Sequence, residues 1–315
     1  MNASTGEGIG RPLNRLEDPR LVTGNGCYVD DIQLDGMLYV DYLRSPYAHA
    51  DILSIDLSAA RALPGVVAIY TGADLAGKVG PVPAFAAPGN FFNTPNTHML
   101  AIDRVRFVGE MVVAVVATDR YIARDARELI QVNYAPLPAV TDIEKALQED
   151  APLVHESLGS NRAFTVEFGD AEAAEEALER ADVVVKERLV NQRVIPNPME
   201  TRGVVAKYDP WSNELTAWIS TQAPQNLRRD YARFLNHPDA KLRVISPDVG
   251  GGFGPKGAVY PDELMTVYLA RDLVRPVKWI EERQESMTAT THGRGQVYEV
   301  EMGVDLDGTI QGMRI

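Results

Sequence analysis

The residues best able to do chemistry lie in one glycine-rich stretch, Gly250-Gly251-Gly252-Phe253-Gly254-Pro255-Lys256-Gly257. It follows an apolar, β-branched run (Leu242, Val244, Ile245) and precedes a helical pattern. Glycine removes the Cβ and opens positive φ, so the backbone can come very close to something there. Successive N–H groups can then converge on one anion, and the positive end of the next helix dipole adds to the attraction. Such a loop can cradle a phosphate, an oxo group or a similar cofactor; the alternative is a plain surface turn.

The spacing Gly252-x-Gly254-x-x-Gly257 also satisfies the dinucleotide fingerprint, and Glu281 falls about where a ribose-binding acid would be. Against that, Ser246 to Gly251 intervene between the strand and the fingerprint, and Pro255 sits where backbone N–H groups should face pyrophosphate. A Walker A loop fails, because Gly257 rather than Ser or Thr follows Lys256. Elsewhere, His49, His98, His155, His237 and His292 show no i,i+4 pairing, so they suggest no zinc or iron site. The single cysteine, Cys27, leaves no internal disulfide, CxxC zinc site or iron–sulfur cluster within the chain. No GxSxG elbow is present. A net charge of −13 argues against a nucleic-acid or anionic-membrane partner.

These residues must be positioned by elements that the pattern lays out in order. With 315 residues, 45% hydrophobic and 24% charged, the chain has core enough for about two domains. The polar, Gly-rich start and the absence of a long apolar run point to a soluble, cytoplasmic protein. Residues 1–19 read as a loose arm. Residues 20–140 read as one α+β domain, with strands at 38–40, 52–57, 66–70, 105–108, 111–117 and 132–134. In it Ser58 is expected to cap a short helix, Asp119 to cap one running through Ile130, and 76–98 to form a long loop. Residues 141–162 read as a connector with a short acidic helix, Asp142 to Gln148. Residues 163–315 read as a second domain. Its pattern predicts a strand near Phe164, a helix at 171–181, long strands at 182–194, 200–208 and 214–220, and a helix at 224–235. A strand at 242–246, a helix at 261–274 with Pro261 in its first turn, a strand at 277–280 and a final pair at 296–304 and 309–315 follow. Ending on a strand pattern, this domain is expected to be incomplete within the chain.

Asp248-Val249-Gly250-Gly251-Gly252-Phe253-Gly254-Pro255-Lys256 resembles the GGFG loop of the molybdenum-binding large subunit of the xanthine dehydrogenase/aldehyde oxidase family, which includes aerobic carbon monoxide dehydrogenase. Further stretches resemble it in the same order. They are Gly10-Arg11-Pro12 with Glu17 to Gly24, Leu43 to Ala50, Leu63 to Val66, Val108 to Ala117, Val132 to Pro138, Ser220-Thr221-Gln222 and Glu282 to Met287. The resemblance implies an α/β hammerhead domain followed by the first part of a molybdopterin-binding domain. It implies oxidative hydroxylation of an electron-poor carbon, with a molybdopterin cofactor in the cytosine dinucleotide form. Gln222 would contact an oxo ligand as the catalytic residue present. Gly251, Gly252, Phe253 and Gly254, with Gln222, would bind the cofactor through the loop backbone. It further implies iron–sulfur (2Fe-2S) and FAD partner subunits, and a C-terminal half of the large subunit that carries the general-base glutamate. Gly257 stands where xanthine-type members carry an acidic residue on the substrate, which speaks against a purine held in that way. A non-catalytic binding or assembly module is the alternative within the same family, and a nicotinamide-binding dehydrogenase the alternative outside it.

Overall fold

The computed structural model describes residues 10, 12–79, 82–83 and 96–315. In chain order the first elements are α1 Asp18–Val22, β1 Leu38–Arg44, β2 Ala50–Asp56, α2 Ser58–Ala62, β3 Val66–Thr71 and α3 Gly72–Leu75. Next come β4 Val82–Pro83, β5 Asn96–Thr97, β6 Arg104–Val105, β7 Met111–Ala117, α4 Arg120–Glu128 and β8 Gln131–Pro136. After the connector follow α5 Ala171–Arg180, β9 Val183–Asn191, β10 Gly203–Asp209, β11 Glu214–Ile219, α6 Pro224–Phe234 and β12 Leu242–Ile245. The chain continues with α7 Pro261–Asp272, β13 Val277–Ile280, α8 Arg283–Ala289, β14 Gln296–Val304 and β15 Ile310–Arg314.

The main sheet has seven strands in the order β12-β11-β10-β13-β1-β7-β3. It takes strands from both sides of the expected connector. β1 and β13 lie parallel, with Leu38 opposite Val277 and the Leu38 N–H donating to Pro276 O at 2.8 Å. Alternation in β1 explains this seat: Leu38, Val40 and Tyr42 are buried in the main core while Tyr39, Asp41 and Leu43 are only partly covered. β7 is apolar at every position and buried at every position, as a strand covered on both faces should be. Its Ala114 and Val116 join the main core, while Val113 and Val115 join a second core with Ala60, Ala126 and Ile130.

α7 packs on β10 and β13 and is buried continuously from Asp262 to Ala270. α6 lies on β12, with Leu227, Tyr231 and Phe234 in the main core. The expected α+β architecture is the observed one.

Several local expectations change. Asp119 does cap α4, accepting the Tyr121 N–H at 2.8 Å. Ser58 is not a cap but the first helical residue, and Asp56 Oδ1 takes both its N–H (2.9 Å) and its hydroxyl (2.6 Å). The expected strand at 105–108 shrinks to Arg104–Val105, because Gly109 at φ +98° turns the chain at once toward β7. The acidic connector helix is only a 3-10 turn, Lys145–Leu147; Asp142 Oδ1 takes the Glu144 and Lys145 N–H groups and stops it as a capped turn. Residues 163–168 form no strand. Most of the expected loop at 76–98 lies outside the described residues, but Val82–Pro83 and Asn96–Thr97 pair across it. Most of the expected arm, residues 1–9 and 11, also lies outside them. Just after it, Arg20 reaches Asp248 with two bonds of 2.5 Å.

Candidate functional site

β11 buries Leu215, Ala217 and Ile219 in the main core, which fixes where it ends: at Ser220-Thr221-Gln222, against the glycine loop. Thr221 is buried, donates its hydroxyl to Lys256 O at 2.8 Å and accepts the Ala223 N–H at 3.1 Å. The Gln222 N–H donates to Lys256 O at 2.9 Å. From there the Gln222 Oε1 accepts the Gly254 N–H at 2.9 Å. Only the amide oxygen can accept, so this bond fixes the amide's orientation and leaves the Nε2 hydrogens for another acceptor.

The loop needs its glycines for stated reasons. Gly251 and Gly254 have φ of +98° and +103°. A Cβ on Gly252 would lie 2.4 Å from Gln222 Cδ, so the glutamine side chain rests directly on that glycine. Between them Phe253 sits at φ +54°, a left-handed conformation uncommon for a side-chain-bearing residue, with its ring exposed. Among the described residues, the N–H groups of Gly251, Gly252 and Phe253 have no acceptor. Consecutive N–H groups without partners, next to a free amide donor, suit an oxygen-rich anionic group. Of the expected site residues, the structure brings Gln222, Gly251, Gly252, Phe253 and Gly254 into one cluster, with the Gly254 N–H spent on Gln222.

Beneath the loop lies a pair that sequence reasoning passed over. Glu200 Oε2 accepts from Ser220 Oγ (2.6 Å), the Gly250 N–H (2.8 Å) and Lys256 Nζ (2.9 Å). Lys256 is 2% exposed; burial lowers its pKa against the opposing pull of Glu200. Further in, Arg202 is fully buried between carboxylates. It donates to Asp262 (2.7 and 2.9 Å) and Glu281 (2.6 and 3.0 Å), and its guanidinium lies 3.8 Å from the Tyr260 ring centre. Arg44 joins by bonding Asp262 (2.9 Å) and Glu285 (2.7 Å). Burial pushes the Asp262 carboxyl up, but Arg202 and Arg44 outweigh it and hold it at about 2. Burial pushes Glu263 to about 8 and Glu285 to about 7. The one sequence signal was Glu200 and Arg202 standing immediately before the apolar strand Gly203-Val204-Val205-Ala206.

This geometry also bears on the dinucleotide reading. Glu281 is buried on Arg202 and the Thr290 hydroxyl, so it does not stand open to a ribose. β12 and β13, which flank the loop and α7, are separated in the sheet by β11 and β10. A nucleotide-binding βαβ unit instead sets its helix between neighbouring parallel strands. A cavity of about 800 Å³ is lined by residues of the connector, by His49 and Arg106, and by 287–292; it shares no lining residue with the glycine loop.

Comparison with known proteins gives the family of this fold. Residues 23–138 match the aldehyde oxidase and xanthine dehydrogenase a/b hammerhead domain, and residues 154–315 match the molybdopterin cofactor-binding domain. The chain is 39% identical to the carbon monoxide dehydrogenase large chain of Afipia carboxidovorans, over 98% of this chain and 39% of that one. It is 38% identical to the nicotine 6-hydroxylase large subunit of Paenarthrobacter nicotinovorans, over 97% of this chain and 37% of that one. Its fold superposes on quinoline 2-oxidoreductase from Pseudomonas putida 86 with a TM-score of 0.88 at 43% identity, covering 97% of this chain and 38% of that one. The chain belongs to the xanthine dehydrogenase/aldehyde oxidase family and carries its a/b hammerhead and molybdopterin cofactor-binding domains. It spans about two fifths of the length of these curated relatives. Among the described residues no helix is long and apolar enough to cross a membrane.

Proposed function

We propose that this chain supplies the first part of the cofactor site of a molybdenum hydroxylase large subunit. The protein containing it would hydroxylate an electron-poor carbon, of the aldehyde, N-heterocycle or carbon monoxide class, and pass the electrons to iron–sulfur and flavin partner subunits. Molybdopterin, in its cytosine dinucleotide form, supplies the two-electron redox chemistry when bound. The observation that carries the reading is the bond from the Gly254 N–H to Gln222 Oε1, which leaves the Gln222 Nε2 hydrogens beside three unpaired loop amides. Gln222 would donate to an oxygen ligand, and the Gly251, Gly252 and Phe253 amides would donate to an oxygen of the same group. Fixed donors of this kind stabilise charge that changes during turnover without reorganising.

The remaining contacts and the general-base glutamate would come from the C-terminal half of the subunit. The test is to purify the protein from its host, measure molybdenum and pterin per polypeptide, and compare Gln222→Ala. Bound molybdenum with a metal signal altered by the substitution supports the reading. A protein free of molybdenum, or one whose signal ignores Gln222, overturns it.

A further inference from the structure

The hydrogen bonds around the glycine loop close into a circuit. Gly250 N–H reaches Glu200 Oε2 (2.8 Å), and that same oxygen takes Lys256 Nζ (2.9 Å). Lys256 O takes the Gln222 N–H (2.9 Å), and Gln222 Oε1 takes the Gly254 N–H (2.9 Å). The amides of Gly251, Gly252 and Phe253, without an acceptor among the described residues, stand in the chain between Gly250 and Gly254. Glu200 also exchanges a backbone bond with Gly250 (N to O, 3.1 Å) and holds Ser220 Oγ (2.6 Å), on the segment that ends in Gln222. Lys256 Nζ donates a second time, to Ser220 Oγ at 2.8 Å. A lysine in a glycine-rich anion loop ordinarily offers its charge to the ligand. Here the Lys256 side chain has no exposed surface, and its ammonium is turned onto Glu200 and Ser220.

We propose that Glu200, acting through Lys256, is a positioning residue that sets the separation between the Gln222 amide and the Gly251–Phe253 amides. The inference rests on the cofactor reading above, but its first readout does not need the cofactor. One carboxylate oxygen with three donors fixes three pieces of backbone at once: the start of the loop, its end, and the strand terminus that carries Gln222. Neutralising it loosens their mutual register while leaving every ligand-facing donor present.

The experiment uses the protein in the assembly isolated from its host, with three variants: Glu200→Gln, Glu200→Gln with Lys256→Met, and Gln222→Ala. The double variant also removes the buried ammonium, which the single one leaves without its counter-ion, and so keeps the test open should the single one not fold. In the double variant, hydrogen exchange at the hydrogen-bonded Gly250 and Gly254 amides of cofactor-free protein is expected to speed up about tenfold. In loaded protein, the molybdenum electron paramagnetic resonance signal should shift. kcat should fall about 10- to 100-fold, with KM changed less than about threefold. If exchange, signal and kcat all return to normal in the double variant, Glu200 serves stability alone and the inference is wrong. If exchange rises but the signal moves only in Gln222→Ala, the cofactor reading stands and the positioning role falls. If the signal ignores both Glu200 and Gln222, the cofactor reading itself falls.

Discussion

Gln222 Oε1 accepts the Gly254 N–H at 2.9 Å, while Gly252 lies so close under the same side chain that a Cβ there would meet Gln222 Cδ at 2.4 Å. Glutamine and glycines therefore form one unit, and they should fail as one. Gln222→Ala removes a donor from the rim of the loop and an acceptor from Gly254. In the loaded protein we expect turnover to fall by roughly 10²-fold, the usual size for losing one preorganised donor. Gln222 is exposed at the surface of this chain, so the melting temperature should hardly move. Steady-state kinetics and a thermal melt on the same preparation check both halves of the expectation.

The glycines can be told apart by what surrounds them. Gly252→Ala would place a Cβ 2.4 Å from Gln222 Cδ, so the exposed glutamine side chain must swing off the loop and give up the Gly254 N–H. Gly254→Ala meets nothing within 4 Å and is strained only by its φ of +103°, at about 1 kcal/mol. Gly257→Ala meets nothing and has no positive φ, so it should be silent. The expected order of molybdenum retention is Gly257→Ala above Gly254→Ala above Gly252→Ala, measured by metal analysis. Equal retention in all three would mean that the loop does not face the cofactor.

How far the sequence carried the fold depends on the range of the interaction. Short-range signals were readable: the alternation in β1, the apolar run of β7, Asp119 as a cap, Pro224 and Pro261 in first helical turns, and the glycine loop itself. Long-range pairing was not. Nothing local in Leu38 to Arg44 says that it will lie beside Val277 to Ile280, since the pairing is set by burial of both strands in a shared core. Buried charges were the least legible: nothing in the sequence assigned a role to Asp262 or Glu263, and Glu281 had a place only in the dinucleotide alternative. Only their common partner Arg202, which is distant in the chain, makes them buried. Glu200 escaped for the same reason, because its role depends on Ser220, Gly250 and Lys256 converging on it.

The buried cluster predicts a particular pH response. Burial raises Glu263 to about 8, with Arg202 opposing and Asp262 and Glu281 adding to the rise; the Tyr231 hydroxyl donates to it at 3.0 Å. A carboxyl raised in the folded state binds more protons folded than unfolded. Its stabilising contribution is therefore full below about pH 4.5 and is lost as pH climbs through about 8. Glu285, raised to about 7, acts in the same direction. Glu263→Gln removes the titration, so it should raise the melting temperature at pH 9 relative to the parent and change it little at pH 5. Asp262 has the opposite sign. Held at about 2, its contribution is present above pH 3.8 and lost as pH falls through 2. Melting curves from pH 3 to 9 on parent and Glu263→Gln separate the two. Parallel curves would show that Glu263 stays ionised in the folded protein.

Arg202 is the partner on which that cluster depends. Arg202→Met keeps an unbranched side chain but takes the guanidinium off the Tyr260 ring and leaves Glu281 without its cation, while Asp262 retains Arg44. Breaking a buried pair from one side costs about 3–5 kcal/mol, because the remaining charge stays buried. Denaturant unfolding should show that loss at pH 7. It should shrink when Glu281→Gln is combined with Arg202→Met, since the second change removes the stranded carboxylate.

The last expectation follows from the shared sheet. β1 belongs to the hammerhead-matching part and β13 to the cofactor-binding part, yet they pair in parallel with Leu38 and Val277 both fully buried. β10 on one side and β7 on the other continue the same hydrogen-bonded array. Two independent domains joined by a connector would unfold in separate steps, whereas a core that spans the join should couple them. Leu38→Ala removes a buried side chain at this seam, at about 2–5 kcal/mol. If the seam couples the parts, native-state hydrogen exchange should quicken to a similar extent at β7 amides (Val112 to Val116) and at β10 amides (Val204 to Ala206). Quickening confined to β7 would show that the two parts open separately despite the common sheet. A connector substitution such as Asn161→Ala is the control. It removes the bonds from Asn161 to Val154, Ala146 and Pro152 outside the sheet, and should leave exchange in both strands unchanged.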